Sequence, residues 1–424
     1  GQACHSRENR QHLYGAQMVG APTSCKRMKN ITRWLVLLVV CIMVAATSCG
    51  RRHSADVFAT SLDSIFLSLF PDPSEPGAIV LVAKGDSIIY DRGFGMADLR
   101  QGKAISDTTL FNICSISKQF AAMALLRLEE EGVVELDDRV TKYIPSLRSP
   151  QYRKITLRHL LSHTSGIPDT RPRTDSEWAE YLTRHKSHFG TCRDYMLYAL
   201  TNESTTYLND LDTFAFEPGT AYEYQNPTYQ LVLRIVEDAT RVRFEKWMKT
   251  NIFDRAGLEH TVYFDPVGDQ SGFSHGYTRA VGDNKYHLWR SDDGRWEECD
   301  YGEANFFPTK ADGGIYTSAL DFLKWERALF GGKVVGDSAL AVATTPIIGT
   351  DIPFTSYGLG LFIEEKPGKP RKIFHTGDNG GYLTVEAYFP DADVFYLIFA
   401  NRPDWPRERT YEMVDSLLMA QKLI

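Results

Sequence analysis

Strand-like sequence lies near both ends of the chain, and helical sequence lies between them. Residues 77–98 contain two apolar segments on either side of a Lys-Gly-Asp turn, which is typical of a β-hairpin. Residues 357–402 contain four further strand-like segments. The pattern predicts an α+β fold, in which one antiparallel sheet is built from both ends of the chain and a helical lobe is inserted between its strands. A functional site is expected in the groove between sheet and lobe.

The sequence SKQFAAMALLRLEEEG, residues 117–132, predicts a helix that Gly132 ends. Its first three turns are apolar on nearly every face, so this helix is expected at the centre of the fold. Several polar residues lie at the N-terminus of this helix. The sequence FNICSISKQF, residues 111–120, contains a cysteine, two serines and a lysine. Burying a polar group costs free energy unless the group is hydrogen-bonded, so polar side chains at this position indicate a specific structural or chemical role.

Composition and charge exclude several classes of function. The 424 residues are 43% hydrophobic and 24% charged, which is ordinary for a globular protein. The formal charge is −7, and the chain has neither a basic tract nor a Cys/His finger spacing, so no nucleic-acid partner is expected. His159 and His163 are spaced like a metal-binding pair, but they lack the H-E-x-x-H pattern and a clear third ligand. We therefore expect no metal and no cofactor.

The first 56 residues are predicted to lie outside the folded domain, which we place at residues 57–424. Residues 1–27 are polar and without pattern, and they are expected to be an upstream or unstructured segment, with Met28 as the true start. Residues 28–48 join a positively charged segment to about a dozen apolar residues, the layout of a secretory signal peptide. Residues 49–56 form a short tether.

The signal sequence ends in ATSC, residues 46–49, which resembles a bacterial lipobox. This resemblance implies cleavage before Cys49, acylation of Cys49, and a lipid-anchored protein of the cell envelope that faces the periplasm or the exterior. An uncleaved anchor and an ordinary signal peptide are the alternatives. The first 48 residues carry six basic and one acidic side chain, so their removal would leave a formal charge of −12. The remaining cysteines do not form a disulfide framework, and a Cys192–Cys299 bridge is left open.

Ser115 and Lys118 form the only S-x-x-K pattern in the chain. Residues three apart share one face of a helix and lie within side-chain reach. At a helix N-terminus, both the helix dipole and burial oppose a charge on Lys118, so that its amine can accept a proton from the serine hydroxyl. The free N–H groups at the same end of the helix can stabilise an oxyanion. The alternative is that Ser115 is a plain helix N-cap.

Two further groups of residues add to this pattern. Tyr224-Gln225-Asn226 follows a Pro-Gly turn and precedes a predicted helix, and its phenol and amide can relay protons and bond both a lysine and a substrate carbonyl. A second Y-x-N, residues 207–209, lacks this turn-then-helix setting. His375-Thr376-Gly377 ends an apolar strand, where small residues let a substrate backbone approach closely. The alternative for this third group is a Gly-rich hairpin loop.

In this order, the three groups resemble the serine β-lactamase and penicillin-binding superfamily, and they are most similar to its class C and D-alanyl-D-alanine carboxypeptidase branch. The most specific element is HLLSHTSG, residues 159–166, and the resemblance runs from about residue 60 to the C-terminus. It implies a β-lactamase/transpeptidase-like fold and a serine hydrolase that acts through an acyl-enzyme, and we expect a monomer. The implied substrates are small peptides, amides or esters, including D-amino-acid or peptidoglycan-derived ones.

The resemblance also implies catalytic roles. Ser115 would be the acylated nucleophile and Lys118 its proton acceptor. Tyr224 would be the second proton-transfer group, and Asn226 would orient Lys118 and the substrate. Two alternatives to this hydrolase are a class C-type β-lactamase and a non-catalytic sensor lipoprotein that binds penicillin or peptidoglycan. The presence of all four residues argues against the sensor.

The implied substrate-binding residues lie on the predicted strand that ends at Gly377. His375, Thr376 and Gly377 would line the substrate, and the N–H groups of Ser115 and Asp378 would form the oxyanion hole. Most members of the superfamily have Lys-Thr-Gly here, and that lysine gives a permanent charge toward a substrate carboxylate. Histidine is mostly neutral at pH 7 unless its pKa is raised. This difference favours peptidase or esterase activity over antibiotic hydrolysis.

Overall fold

The computed structural model describes residues 56–168, 213–264, 269, 271–279, 294–298 and 310–424. The predicted signal peptide, the tether up to residue 55, and Cys49, Cys192 and Cys299 lie outside these residues, as does the second Y-x-N pattern at residues 207–209. The domain boundaries proposed for the N-terminal region therefore stay predictions. Among the described residues, no helix is both long and apolar enough to cross a bilayer.

The strands fall into one large sheet and several short pairings. In chain order the strands are β1 (Ala78–Lys84), β2 (Ser87–Phe94), β3 (Met96–Asp98), β4 (Lys103–Ala104), β5 (Phe111–Asn112), β6 (Val262–Tyr263), β7 (Tyr277–Thr278), β8 (Glu297–Glu298), β9 (Ile315–Thr317), β10 (Ile348–Gly349), β11 (Thr355–Tyr357), β12 (Phe362–Glu364), β13 (Lys372–Asn379), β14 (Tyr382–Phe389) and β15 (Val394–Ala400).

The large sheet combines strands from both ends of the chain. Its order, within the described residues, is β10-β11-β12-β13-β14-β15-β1-β2, and all neighbours are antiparallel. The N-terminal hairpin β1-β2 joins the C-terminal strands through β15, where Leu81 is opposite Leu397. The prediction of an α+β fold with an antiparallel sheet made from both termini is confirmed.

Helices cover both faces of this sheet. In chain order the α-helices are α1 (residues 56–69), α2 (Ser117–Glu130), α3 (Val140–Tyr143), α4 (Leu157–Leu161), α5 (Asn226–Thr240), α6 (Phe244–Met248), α7 (Asp254–Ala256), α8 (Lys310–Gly313), α9 (Ala319–Phe330), α10 (Asp337–Ala343) and α11 (Arg407–Ala420). Cys114–Ile116 and Pro150–Lys154 form 3₁₀ turns, and Lys249–Phe253 forms a π-helical turn.

Strand β1 shows why both faces must be covered. The first six residues of its sequence, AIVLVA, are all apolar and buried, and alternate side chains of a strand point to opposite faces. Ile79 and Leu81 belong to the core that contains α2 and α9, whereas Val80 and Val82 belong to the core that contains α1 and α11. A stretch of six apolar strand residues is stable only where helices exclude water from both of its faces.

Helix α2 lies at the centre of the first of these cores, as its sequence predicted. All of its residues from Ser117 to Leu126 are buried, and Phe120 stacks on Trp325 of α9 with ring centroids 3.7 Å apart. The helix ends at Glu130, and Gly132 follows with a φ of +69°, a left-handed conformation that glycine adopts without strain. Because α2 is surrounded by packed side chains, its first turn is held rigidly.

Candidate active site

Ser115 is the one partly exposed residue in a buried stretch of chain. It lies in the 3₁₀ turn Cys114–Ile116, which leads directly into α2, and the residues from Phe111 to Phe120 are otherwise buried. Cys114 has a φ of +53°, which non-glycine residues adopt rarely and which often marks a functional site. Asn112 supports this turn, because its Oδ1 accepts the N–H of Cys114 at 2.8 Å.

Lys118 is fully buried beneath this serine, and three oxygens of the described residues lie within hydrogen-bond distance of its Nζ. The distances are 2.9 Å to Ser115 Oγ, 2.6 Å to Asn226 Oδ1 and 2.8 Å to the carbonyl oxygen of Asp312. The amide and carbonyl oxygens only accept hydrogen bonds, so a neutral amine would give them both of its N–H groups. Its lone pair would then point to the hydroxyl of Ser115. The geometry therefore suits proton transfer from serine to lysine.

Aromatic rings also surround this amine. Lys118 Nζ lies 4.9 Å from the ring centroid of Tyr224 and 5.5 Å from that of Tyr229. Aromatic faces attract an ammonium, so these rings favour Lys118 once it has gained a proton. Tyr224, the expected second proton-transfer group, therefore lies directly against the amine of Lys118.

Strand β13 has one open edge beside Ser115. It pairs with β12 only over Lys372–Phe374, but it pairs with β14 from Ile373 to Asn379. Within the described residues, the stretch from His375 to Asn379 therefore lacks a strand partner on one side. Main-chain groups at such an edge can pair with an extended peptide.

Gly377 allows this strand to approach the serine turn. A Cβ atom at this position would lie 2.5 Å from the carbonyl oxygen of Ile113 and 2.8 Å from Cys114 Cβ, distances that real Cβ atoms do not tolerate. The close approach places Asp378, the next residue, beside the turn that carries Ser115. That the Asp378 N–H is the second oxyanion donor stays a prediction.

His375 is fully buried, and both of its ring nitrogens have partners inside the protein. Nδ1 lies 2.7 Å from the carbonyl oxygen of Thr376, so this nitrogen carries the proton. Nε2 then accepts from the hydroxyl of Tyr357 at 2.9 Å. Burial, and after it the charge of Lys118, lower the pKa of His375 to about 3. His375 is therefore neutral at pH 7. The next residue, Thr376, is partly exposed and is more accessible to a substrate than His375.

Two residues of the site were missed by the sequence analysis. Asp312 contributes its backbone carbonyl to Lys118, and a backbone acceptor has no residue-type signature. Arg407, the first residue of α11, donates from Nη1 to the carbonyl oxygen of Gly377 at 2.8 Å. Its guanidinium also pairs with Glu408. In the sequence, Arg407 looks like one of several charges on an exposed helix.

The two histidines of the 159–166 segment do not converge on one point. His159 Nδ1 accepts the N–H of Thr156 and so caps the start of α4, whereas the ring of His163 packs against Tyr224. Among the residues that the structure describes, no cluster of His, Cys, Asp and Glu side chains could hold a metal ion. The spacing of these histidines thus reflects two separate structural contacts.

The predicted site residues form two adjoining groups. Ser115, Lys118 and Asn226 are joined by hydrogen bonds at Lys118 Nζ, with Tyr224 against the same amine. The residues His375 to Asp378 follow one another along β13, with Gly377 in contact with the serine turn. Cys49 lies outside the described residues.

The sequence and the fold of this chain are similar to those of several known proteins. A family model described as Beta-lactamase matches residues 66–417. Penicillin-binding protein 4* of Bacillus subtilis is 27% identical, over 77% of this chain and 68% of that protein. A D-aminopeptidase of Gluconobacter oxydans is also 27% identical, over 72% of this chain but only 52%, about half, of its own length. An octameric penicillin-binding protein homologue from Pyrococcus abyssi matches with a TM-score of 0.71 and 24% identity, covering 85% of this chain and 77% of that one, and so shares the fold.

Proposed function

The chain belongs to the β-lactamase family, as its sequence motifs predicted, and on that premise we propose that it is a serine hydrolase that works through an acyl-enzyme. The observation that carries this proposal is the contact of Lys118 Nζ with Ser115 Oγ, in a site where Asn226 and the Asp312 carbonyl take the other hydrogen bonds. A protein that only binds its ligand needs a groove, but it needs no proton acceptor on a serine. The arrangement supports nucleophilic catalysis.

The reaction would proceed in two halves. Ser115 Oγ attacks the carbonyl carbon of the substrate while its proton passes to Lys118 Nζ, and the carbonyl oxygen becomes an oxyanion held by the N–H groups of Ser115 and Asp378. The leaving amine or alkoxide then takes a proton that Tyr224 relays from Lys118. This breaks the substrate bond and leaves an ester on Ser115. A water molecule attacks that ester, gives its proton to the same groups and restores the serine.

The open edge of β13 indicates the substrate class. An extended peptide or amide could pair with the main chain beyond His375, with the side chain of Thr376 partly exposed beside it. One relative is a D-aminopeptidase, which favours D-amino-acid derivatives, including peptidoglycan fragments, among the substrates. His375 supplies no charge for a carboxylate, and the charge of Arg407 is shared with Glu408.

We expect the enzyme to prefer small esters and amides over penicillins. A hydrogen bond to a charged group is worth roughly 1.5–3 kcal/mol, so the lack of a cation at residue 375 should lower the rate toward a β-lactam carboxylate by about 10- to 100-fold. Because the pKa of His375 is about 3, the ring stays neutral from about pH 5 to 8.5. The ratio of kcat/KM for benzylpenicillin to that for p-nitrophenyl acetate should therefore not rise as the pH falls through 6.5.

Two results would contradict this preference. A ratio that rises toward acid with a midpoint near pH 6.5 would show that His375 gains a proton and a charge in that range. A kcat/KM for benzylpenicillin of about 10⁶ M⁻¹s⁻¹ or more would instead favour the class C-type β-lactamase. Hydrolysis of both substrates by Ser115→Ala protein is the background to subtract.

We also propose that the mature protein is a lipoprotein of the cell envelope. The support is the ATSC sequence that ends at Cys49. When the full chain is expressed in a bacterium, mass spectrometry should find Cys49 as the first residue with acyl groups on its thiol and its amine, and the protein should enter the detergent phase on Triton X-114 partitioning. Cys49→Ser protein is the matched control and should stay in the aqueous phase. An unmodified Cys49, or a mature protein that retains residue 40, would contradict the proposal.

A further inference from the structure

Residues 159–166 carry the most specific sequence motif, and part of this segment holds the loop that bears Tyr224. Three backbone hydrogen bonds join residues 163–166 to residues 215–223. They run from the N–H of Glu223 to the carbonyl of His163 at 3.0 Å, from Gly219 to Thr164 at 2.8 Å, and from Ala215 to Gly166 at 2.8 Å. Gly166 has a φ of +74°, and a Cβ there would lie 2.1 Å from the carbonyl oxygen of Phe216. The segment is therefore a close-fitting support for the loop.

His163 contacts Tyr224 and the residues on both sides of it. Its carbonyl accepts from Glu223, and its ring Nδ1 accepts the buried N–H of Gln225 at 3.0 Å. The ring centroid of His163 lies 4.3 Å from that of Tyr224, and on another side it lies 4.8 Å from that of Tyr357. These contacts fix both the backbone and the ring of Tyr224.

The protonation of His163 follows from these contacts. Because Gln225 donates to Nδ1, the ring proton is on Nε2. Burial, and after it the charge of Lys118, hold the pKa of His163 well below its ordinary value, so the ring is neutral. Its Nε2 is buried and has no hydrogen-bond partner among the described residues. An unpartnered N–H costs stability, and phenylalanine would fill a similar volume without this cost. What histidine adds is the acceptor at Nδ1.

We propose that His163 is a positioning residue that holds Tyr224 where its phenol can pass a proton between Lys118 and the leaving group. The inference rests on the proposed function, because the role of Tyr224 belongs to that mechanism. His163 itself is not proposed to contact the substrate. It acts through the Gln225 N–H and the face of the Tyr224 ring.

The test compares four variants of the full chain with p-nitrophenyl acetate as substrate. His163→Phe keeps a ring but removes the acceptor, so kcat should fall about 10- to 100-fold while KM changes less than about twofold. His163→Asn can place its Oδ1 where Nδ1 was and tolerates a φ of +57°, so it should stay within about fivefold of wild type. His163→Gln carries the same amide but reaches the position of Nε2, and it should resemble the phenylalanine variant.

His159→Phe is the matched control, since it makes the same substitution four residues away and removes the cap of α4. It should lower the thermal unfolding midpoint without changing kcat.

A His163→Phe protein with the kcat of wild type would overturn the inference. If the phenylalanine variant fails to fold, the asparagine–glutamine pair decides, and equal kcat values for the two would overturn it. Fluorophosphonate labelling of Ser115 in the wild type is measured alongside. Its absence would defeat the proposed function itself, whereas normal labelling with unchanged kcat in all His163 variants would defeat only this inference.

Discussion

Replacing Ser115 by alanine is expected to abolish covalent labelling by both a fluorophosphonate and a fluorescent penicillin. The same change should lower kcat/KM for a small ester by at least about 10⁴-fold, because it removes the hydroxyl that Lys118 Nζ contacts. Gel fluorescence after timed labelling measures the first effect, and ester hydrolysis measures the second. Unfolding midpoints should change little, since Ser115 is only partly buried.

Ser117→Ala provides the matched control for this substitution. Ser117 is the other serine of the same short segment, but it is buried, and its Oγ accepts the N–H of Ile315 at 3.2 Å. Its loss should reduce stability and leave labelling in place. Labelling that persists in Ser115→Ala protein and disappears in Ser117→Ala protein would show that Ser117 is the nucleophile and would contradict the assignment of Ser115.

Replacing Lys118 by methionine should slow acylation of Ser115 by about 10³-fold or more. Methionine fills most of the same buried volume but cannot accept a proton, so the serine would attack without a base. It also leaves Asn226 Oδ1 and the Asp312 carbonyl without the N–H groups that they accept, so some loss of stability is expected as well. The rate of fluorophosphonate labelling, followed over time in folded protein, separates these two effects.

Lys310→Met is a suitable control for the lysine substitution. Lys310 is also a buried lysine, it opens α8 two residues before Asp312, and it pairs with Glu245 rather than with the serine. Its replacement should leave the labelling rate within a few-fold of wild type. Labelling of Lys118→Met protein at the wild-type rate would mean that another group takes the proton from Ser115.

The sequence predicted the parts of the fold that depend on local patterns. The apolar strands at both ends and the apolar helix from Ser117 were recognisable, because a segment without a polar face must be covered on all sides. The order of the strands could not be read in this way. The open edge of β13 arises because β12 pairs only up to Phe374, and that register is set by contacts between distant segments.

The candidate site was predictable to a similar extent. Ser115 and Lys118 are three residues apart on one turn, so their contact follows from helical geometry. Asn226 is far away in the sequence; its setting between a Pro-Gly turn and a helix made it a candidate, and the family resemblance gave it its expected role beside Lys118. The burial of His375 could not be predicted, because it depends on packing against Tyr357 and Phe362, which lie on other strands. Asp312 acts through its backbone, and side-chain patterns carry no sign of such a role.

The most direct test of the account is to locate the acyl group in the wild-type protein. After brief reaction with a fluorophosphonate and digestion with trypsin, mass spectrometry should show one adduct, in the peptide of residues 104–118. This peptide contains Ser106, Ser115 and Ser117. Fragment ions should place the added mass on Ser115. An adduct on either of the other serines or in another peptide, or continued ester hydrolysis by protein with no adduct at all, would contradict the assignment of Ser115 as the nucleophile.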